Sequence, residues 1–461
     1  MPDTTATRPR SGWPVAALSL GTLLNPLNSS MIAVALVPLQ HDLRTDVTSV
    51  TWVITSFYLA SAAGQPLMGR LGDRFGPRRL FLFGMLVVIL ACALTPFARS
   101  LPAVCAGRVL LAVGTATAFP SAISMLRPIA AASGVGSARL LGRIQMANTS
   151  GAAIGPVLGG ALVTFLGWPA IFWVNVPLAA LTFLGVLLLA PPDPERERTP
   201  LRRTLAESDI PGILLFVATL SSLLVFLLDL RPVPLWWLLP VCAAAGALFA
   251  WRELRAAHPF IDLRMLAANR ALLLVYLCFA IFNVVYYSAF FGLPQFLQEH
   301  DGFPAGVTGL LMFPLAAVTI VITPLAARSI ERFGLRRTLL TGAVALIAGA
   351  ALLALAAAGP APWLVLVVTA ALGIPYCVVS ITMNQALYTA ARPQDAGVAA
   401  GIFQTSRYVG AIVATTILGL LFSGGVTGGT WLVAVGAATG LAVVHLGILA
   451  FTRTRTPRAE A

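Results

Sequence analysis

Fourteen mostly apolar stretches follow one another along the chain, and each has about the 20 residues that an α-helix needs to cross a bilayer. They lie at approximately 13–39, 48–69, 79–97, 101–126, 143–166, 169–190, 209–229, 234–251, 271–297, 305–327, 338–358, 361–390, 397–423 and 428–451. Pro and Gly occur inside them, as is common for helices in lipid. Charged residues make up only 10% of the chain and hydrophobic ones 58%, with a mean hydropathy of +0.88. A soluble domain carries about 25% charged residues, so lipid is the expected solvent for most of this chain. The start, "MPDTTATRPRSGWP", is polar and basic. The apolar run behind it is longer than a signal-peptide core, so a retained first helix is expected rather than a cleaved leader.

All 30 basic residues are arginine. Without lysine there is no Walker A phosphate loop and no Schiff base, which excludes an ATP-driven pump and a retinal pump on this chain. With the N-terminus in the cytoplasm, 25 arginines fall in cytoplasmic tails and loops. Three fall outside (Arg44, Arg99, Arg231) and two within spans (Arg108, Arg407). That bias predicts both termini inside, and it explains a net charge of +13 without a nucleic-acid partner. The five cysteines sit in apolar segments with no CxxC pair, so neither disulfides nor a metal site are expected, and no cofactor motif is present. The Ala/Leu/Gly/Val-rich, lysine-free composition hints at a GC-rich bacterial genome.

Residues 69–84, "GRLGDRFGPRRLFLFG", align without gaps to 327–342, "ARSIERFGLRRTLLTG", with eight of sixteen positions identical. Arg74 matches Arg332, Gly76 matches Gly334, Arg79 matches Arg337, and Asp73 faces Glu331. A second echo relates Gly142, Gln145 and Gly151 to Gly401, Gln404 and Gly410. Parallel repeats of this kind are placed by transporters around a midplane binding site. The offset exceeds six helices by about two, so spans 7 and 8 read as an insertion, and "APPDPERERTPLRRTLAESD" as the linker into it. The expected organisation is a six-helix bundle over 1–190, a linker with two extra helices over 191–269, and a second six-helix bundle over 270–461.

The first copy of the repeat resembles the cytoplasmic loop motif of the major facilitator superfamily, and the inserted pair is similar to its fourteen-helix drug:proton antiporter branch. "CAGRVLLAVG" resembles the branch's fourth-helix arginine motif, and "GAAIGPVLGG" its fifth-helix antiporter motif. "IFWVNVP", "HPFIDLRML" and "LPQFLQ" also look like that branch. The resemblance implies an all-α, polytopic major facilitator fold of 14 transmembrane helices in two six-helix pseudo-repeats plus the inserted pair. It implies an antibiotic or multidrug exporter, not an enzyme, in the bacterial inner membrane, with lipid and a small-molecule substrate as its partners and a monomeric state. It also implies a gating role for Gly69, Asp73, Arg74, Gly76, Arg78, Arg79, Glu331 and Arg332, read as a latch between helices 2 and 11. For Gly151, Gly155, Pro156, Gly159 and Gly160 it implies sealing of the cytoplasmic side, and their spacing also allows close helix packing.

In that branch the first helix resembles "LDxTIVNVALP", whose aspartate is linked to proton coupling. This chain has "LNSSMIAVALVP", with Asn28 at the acid's place. None of the 17 acidic residues lies deep in a span. Asn25 and Asn28 are expected to line a water-filled pathway, with helix packing as the alternative. Asn283 stands one repeat from Asn25. An arginine at membrane depth costs about 2.5–3.5 kcal/mol, so Arg108 and Arg407 should face a polar cavity or a partner, backbone carbonyls included. Other cavity candidates are Trp52, Tyr58, Gln65, Gln145, Asn148 and Phe282 in the first nine spans. Further along they are Tyr286, Tyr287, Tyr376, Asn384, Gln385 and Gln404. With no carboxylate against the arginines, the substrate is expected to be bulky and neutral or anionic. The antiporter motif implies export, by proton antiport with coupling unlike the branch's. The remaining titratable groups are the loop residues His41, Asp42, Glu299, His300 and Asp301, and His445. An importer or facilitator of a small metabolite is the alternative. A membrane enzyme is a distant one, because no paired carboxylates, HExxH helix or Ser/His pair lies at membrane depth.

Overall fold

A computed structural model describes residues 12–193, 209–228, 235–257, 259, 261, 263–391 and 396–451. Among these residues the chain is helical, with no strand. The first half comprises α1 (Gly12–Asp42), α2 (Trp52–Phe75), α3 (Pro77–Leu94), α4, α5 (Ser137–Leu166) and α6 (Ala170–Leu189). α4 is built from two pieces, Leu101–Ala116 and Ala118–Ser133. Next come α7 (Ile210–Leu228) and α8 (Leu238–Glu253). The second half comprises α9 (Arg270–Glu299), α10 (Ala305–Phe333), α11 (Leu335–Leu352), α12 (Pro362–Ala390), α13 (Ala396–Phe422) and α14 (Gly428–Phe451).

Twelve helices among the described residues are long and apolar enough to cross a membrane. The two stretches read as spans 7 and 8 are helical and lie outside that twelve. α7 packs on α8 and also touches α2 and α13.

Helix packing repeats between the halves. α1 packs on α5 as α9 does on α13, α2 on α4 as α10 on α12, and α3 on α6 as α11 on α14. The halves meet along α5 against α10 and along α2 against α13, contacts that exchange when one half is mapped on the other. Proline inside these helices, such as Pro26, Pro156 and Pro294, removes a backbone donor. Serine and threonine hydroxyls bond back onto carbonyls of their own helix, as where Ser30 Oγ donates to Pro26 O at 2.9 Å.

The sequence repeat is also a conformational one. Gly76 and Gly334 have φ of 94° and 82°, backbone that favours glycine, and each ends one helix and starts the next. Arg74 lies over the Phe75 ring at 4.6 Å, and Arg332 over Phe333 at 5.3 Å. Arg78 Nη2 donates to Leu187 O near the end of α6, and Arg336 Nη2 to Ala450 O at the end of α14. A cation there also meets the negative end of a helix dipole.

Candidate functional site

The polar centre of the molecule is built on Arg407 and a set of tyrosines from four helices. Arg407, a little short of halfway along α13, lies over the Tyr408 ring at 5.1 Å, and its Nη2 reaches Tyr408 Oη at 3.4 Å. Its Nε is buried with no hydrogen-bond partner. Gln65 of α2 donates to Tyr408 Oη at 2.6 Å, tying the halves together at this level. Tyr286 of α9 stacks on Tyr376 of α12 at 3.9 Å, and Phe282 lies 5.9 Å from the same ring. Tyr287 stacks on Phe291 at 5.5 Å, and Tyr58 of α2 meets Tyr287 edge-on at 5.5 Å. Tyr58 Oη is buried without a partner, as are both amide atoms of Gln295, two turns beyond Tyr287 on α9.

Above this cluster, at the end where α1 stops and α2 begins, the halves are bonded shut. Thr55 and Thr415 hydroxyls lie 3.2 Å apart, Thr48 Oγ1 donates to Gly419 O, and Gln298 Nε2 donates to Val34 O. His41 Nε2 is 3.4 Å from Glu299 Oε1, an ion pair when the imidazole is protonated. At the opposite end, where α1 begins, Gln145, Asn384 and Gln385 are exposed and Asn148 and Gln404 are half-buried. Trp52 is half-buried beside the closed end.

Other expected cavity residues are placed inside the bundles. Asn28 and Asn175 exchange two amide bonds, at 2.8 and 2.9 Å, and are 3% and 0% exposed. Asn25 Nδ2 donates to Thr115 Oγ1 of α4. Asn283 Nδ2 donates to Phe279 O of its own helix, and its Cβ lies where a side chain at Gly410 would go. In this conformation the polar interruptions of α1 therefore bond helix to helix, the alternative weighed against a pathway role. Arg108 is 1% exposed, with Nε donating to Val53 O at 3.1 Å and the guanidinium over Phe57 at 4.2 Å. A backbone carbonyl and an aromatic face hold that charge. His445 is fully buried beside Phe282.

The glycines of α5 are close-approach positions. Cβ atoms at Gly151, Gly155 and Gly159 would collide with Leu23, Ser30 and Met31 of α1. Gly160 faces the other half, where a Cβ would lie 2.6 Å from Ala305 O. Gly309 of α10 approaches the Pro156 carbonyl just as closely. Both faces of α5 are thus backbone contacts, one within its half and one between halves.

In the loop motif, Gly69 is half-buried, Arg79 and Glu331 are exposed, and the Asp73 and Arg70 side chains lie outside the described residues. Helix α2 packs on α13. Span 13 is the eleventh helix once the inserted pair is left out of the count. The carboxylate at the start of α3 is Asp193, which accepts from the Arg78 and Arg79 backbone N–H groups at 2.9 and 3.0 Å. Asp193, Asn175, Tyr408 and the Gly306–Gly309 face of α10 were not singled out from sequence. A lone amide in the apolar run 169–190 was the available sign for Asn175. For Asp193, no sequence spacing links a linker acid to a helix 115 residues earlier.

Comparison with known proteins places these features. The chain is 36% identical over 418 residues to the uncharacterized MFS-type transporter YwoD of Bacillus subtilis (strain 168), covering 90% of each chain. It is 30% identical over 448 residues to the tetracenomycin C resistance and export protein of Streptomyces glaucescens, covering 92% of this chain and 79% of that one. Its fold matches an auto-inhibited POT family peptide transporter with a TM-score of 0.67 at 17% identity, over 97% of this chain and 99% of the other. The family profile described as Major Facilitator Superfamily matches residues 18–415. A helical protein with this packing and this match belongs to the Major Facilitator Superfamily.

Proposed function

We propose that this chain is a secondary active exporter of bulky organic compounds, neutral or anionic, working by alternating access across the bacterial inner membrane. The observation that carries the reading is the polar centre itself. An arginine and five tyrosines lie where the halves meet, closed on one side by bonds between the halves and flanked on the other by exposed amides. The arginine bias of the loops sets both termini in the cytoplasm, so this conformation faces inward. The bundles over 1–190 and 270–461 rock against each other, and 191–269 carries the inserted pair as helices 7 and 8 of fourteen. Gly160 and Pro156 against Gly309 form the rocking contact, and the loop motif with Asp73 latches α2 to α13. Gln145, Asn148, Asn384, Gln404 and Arg407 line the way in, and Tyr286 and Tyr287 the chamber above. Asn25, Asn28, Arg108 and Asn283 hold the helices that frame it. The names of relatives support export: besides the tetracenomycin C protein, the multidrug efflux pump LfrA of Mycolicibacterium smegmatis is 28% identical over 434 residues.

Export is driven by proton antiport in this reading, with the coupling group outside helix 1. Reconstitution in proteoliposomes tests it, with tetracenomycin C as first compound and ethidium as the cationic control. Outward movement of tetracenomycin C, accelerated by an inward proton gradient, is the expected result, with ethidium not moved. Flux equal in both directions and indifferent to pH would make the chain a facilitator, and ethidium transport would remove the charge argument.

A further inference from the structure

We propose that the preferred ligand of the central chamber is a planar aromatic monoanion, its anionic group on the Arg407 guanidinium and its ring against the tyrosine wall. This rests on the transport reading of the chamber and goes beyond it by naming the chemistry of the cargo.

The charge at Arg407 is incompletely answered by the protein. Among the described residues the carboxylate ion pairs are His41–Glu299 and Arg252–Asp209, and Arg407 takes part in neither. Its Nε is buried and bonds to nothing. Its one hydrogen bond, to Tyr408 Oη, is long at 3.4 Å, and that oxygen already accepts from Gln65 at 2.6 Å. The Tyr408 face gives partial compensation. A guanidinium presents a planar fork of donors that fits a carboxylate two bonds at a time, so an arriving anion supplies what this site lacks. A lipophilic cation meets a like charge in a poorly screened place.

The rest of the wall selects for flat rings. Tyr286 and Tyr376 stack nearly parallel, with 21° between their planes, and Tyr287 and Phe291 with 13°. Tyr58 closes the set edge-on to Tyr287. Stacked and edge-to-face neighbours are the arrangements aromatic rings prefer, so a planar ligand extends a lattice already present, whereas a saturated ring of equal charge does not. Entry is from the side of the exposed amides Gln145 and Asn384, because the opposite end is bonded shut.

Equilibrium binding to the purified full-length protein in nanodiscs tests this without any gradient. The probes are 2-naphthoate, neutral 2-naphthylmethanol, cationic 2-naphthylmethylammonium and saturated decalin-2-carboxylate. We expect naphthoate to bind at least about tenfold tighter than the alcohol and the ammonium compound, a difference of about 1.4 kcal/mol. It should also exceed the decalin carboxylate several-fold. In Arg407→Gln the naphthoate-to-alcohol ratio falls to about one, whatever the absolute affinities. A wild-type ratio within twofold, or tighter ammonium binding, overturns the proposal before any variant is made, and so does a ratio that survives Arg407→Gln. Equal binding of decalin carboxylate overturns the aromatic half. Because no flux is measured, these outcomes stand apart from the exporter reading: naphthoate binding with no outward transport would sink that reading alone.

Discussion

Asn28 of α1 and Asn175 of α6 face each other as a reciprocal amide pair, each donating from Nδ2 to the other's Oδ1, at 2.8 and 2.9 Å. Each Nδ2 also donates to a carbonyl of its own helix, Leu24 O and Ile171 O. A carboxylate at position 28 would accept from Asn175 but have no donor to return, so the amide closes a pair that needs no proton. Removing one partner strands a buried amide oxygen, at a cost of about 1–3 kcal/mol, whereas removing both with side chains of similar size is far milder. Asn28→Leu and Asn175→Leu are each expected to lower the melting temperature of the detergent-solubilised protein. The double variant should be less destabilised than the sum by about 0.5–3 kcal/mol. Additive losses would mean that the two amides act separately.

Asp193 stands in the same relation to α3. Its two carboxylate oxygens take the backbone N–H groups of Arg78 and Arg79 at the first turn, where donors have no partner within the helix. Asp193→Ala is expected to cost about 0.5–2 kcal/mol, the usual range for losing such a cap, and Asp193→Asn an intermediate amount, because the amide keeps one acceptor oxygen and turns a donor toward the other N–H. Thermal unfolding of the two variants side by side gives the comparison; wild-type stability in Asp193→Asn would show that the second hydrogen bond contributes nothing at this turn.

Helix positions were legible because a bilayer admits few backbone solutions, so every apolar run of sufficient length became a helix. The repeat was legible down to single residues: Gly76 and Gly334 both take positive φ, and Arg74 and Arg332 both cover the next phenylalanine. Rotation about the helix axis was not legible for α1. Most of that helix is buried inside the bundle, so no polar face marks which way Asn25 and Asn28 point. Their partners, Thr115 and Asn175, follow from which helices touch α1, and that is tertiary information. Arg407 was legible as a charge needing an answer. Tyr408 beside it, part of that answer, carries no mark in the apolar run around it that sets it apart.

Gly309 of α10 offers a test of the contact between halves. A Cβ there would run into the Pro156 carbonyl, a backbone group that yields only if α5 and α10 separate. Gly309→Ala is expected to destabilise by about 1–3 kcal/mol, the usual cost of overpacking, and to slow transport at unchanged membrane abundance. Gly436→Ala on α14, where a Cβ meets open space, serves as the control and should change stability by no more than about 0.5 kcal/mol. Wild-type transport in Gly309→Ala would show that the halves do not bear on each other here.

The foot of the inserted pair predicts a pH dependence. Asp209, just before α7, caps the Gly212 N–H and accepts from Arg252 Nε at 2.6 Å. Glu253, at the end of α8 beyond the apolar run, hydrogen-bonds Asp209 and accepts from the Ile261 N–H at 2.7 Å. The cradle depends on Gly212, since both carboxyls occupy the space its Cβ would need. For Asp209, burial acts upward, but the bonds to Arg252, Gly212 and Glu253 outweigh it, and its carboxyl lies below the usual range. Burial, helped by the hydrogen bond and charge of Asp209, pushes Glu253 up to about 7 against the opposing Ile261 N–H and Arg252. The folded protein thus keeps on Glu253 a proton that the unfolded chain releases above its ordinary value of 4.5. The Glu253 contribution is complete below that value and is lost as pH rises through about 7, on the order of 3 kcal/mol in all. Melting temperature should therefore fall between about pH 5 and pH 8 in the wild type. In Glu253→Gln, which keeps the donor and cannot ionise, this part of the fall disappears. An unchanged slope in that variant would place the titration on another group.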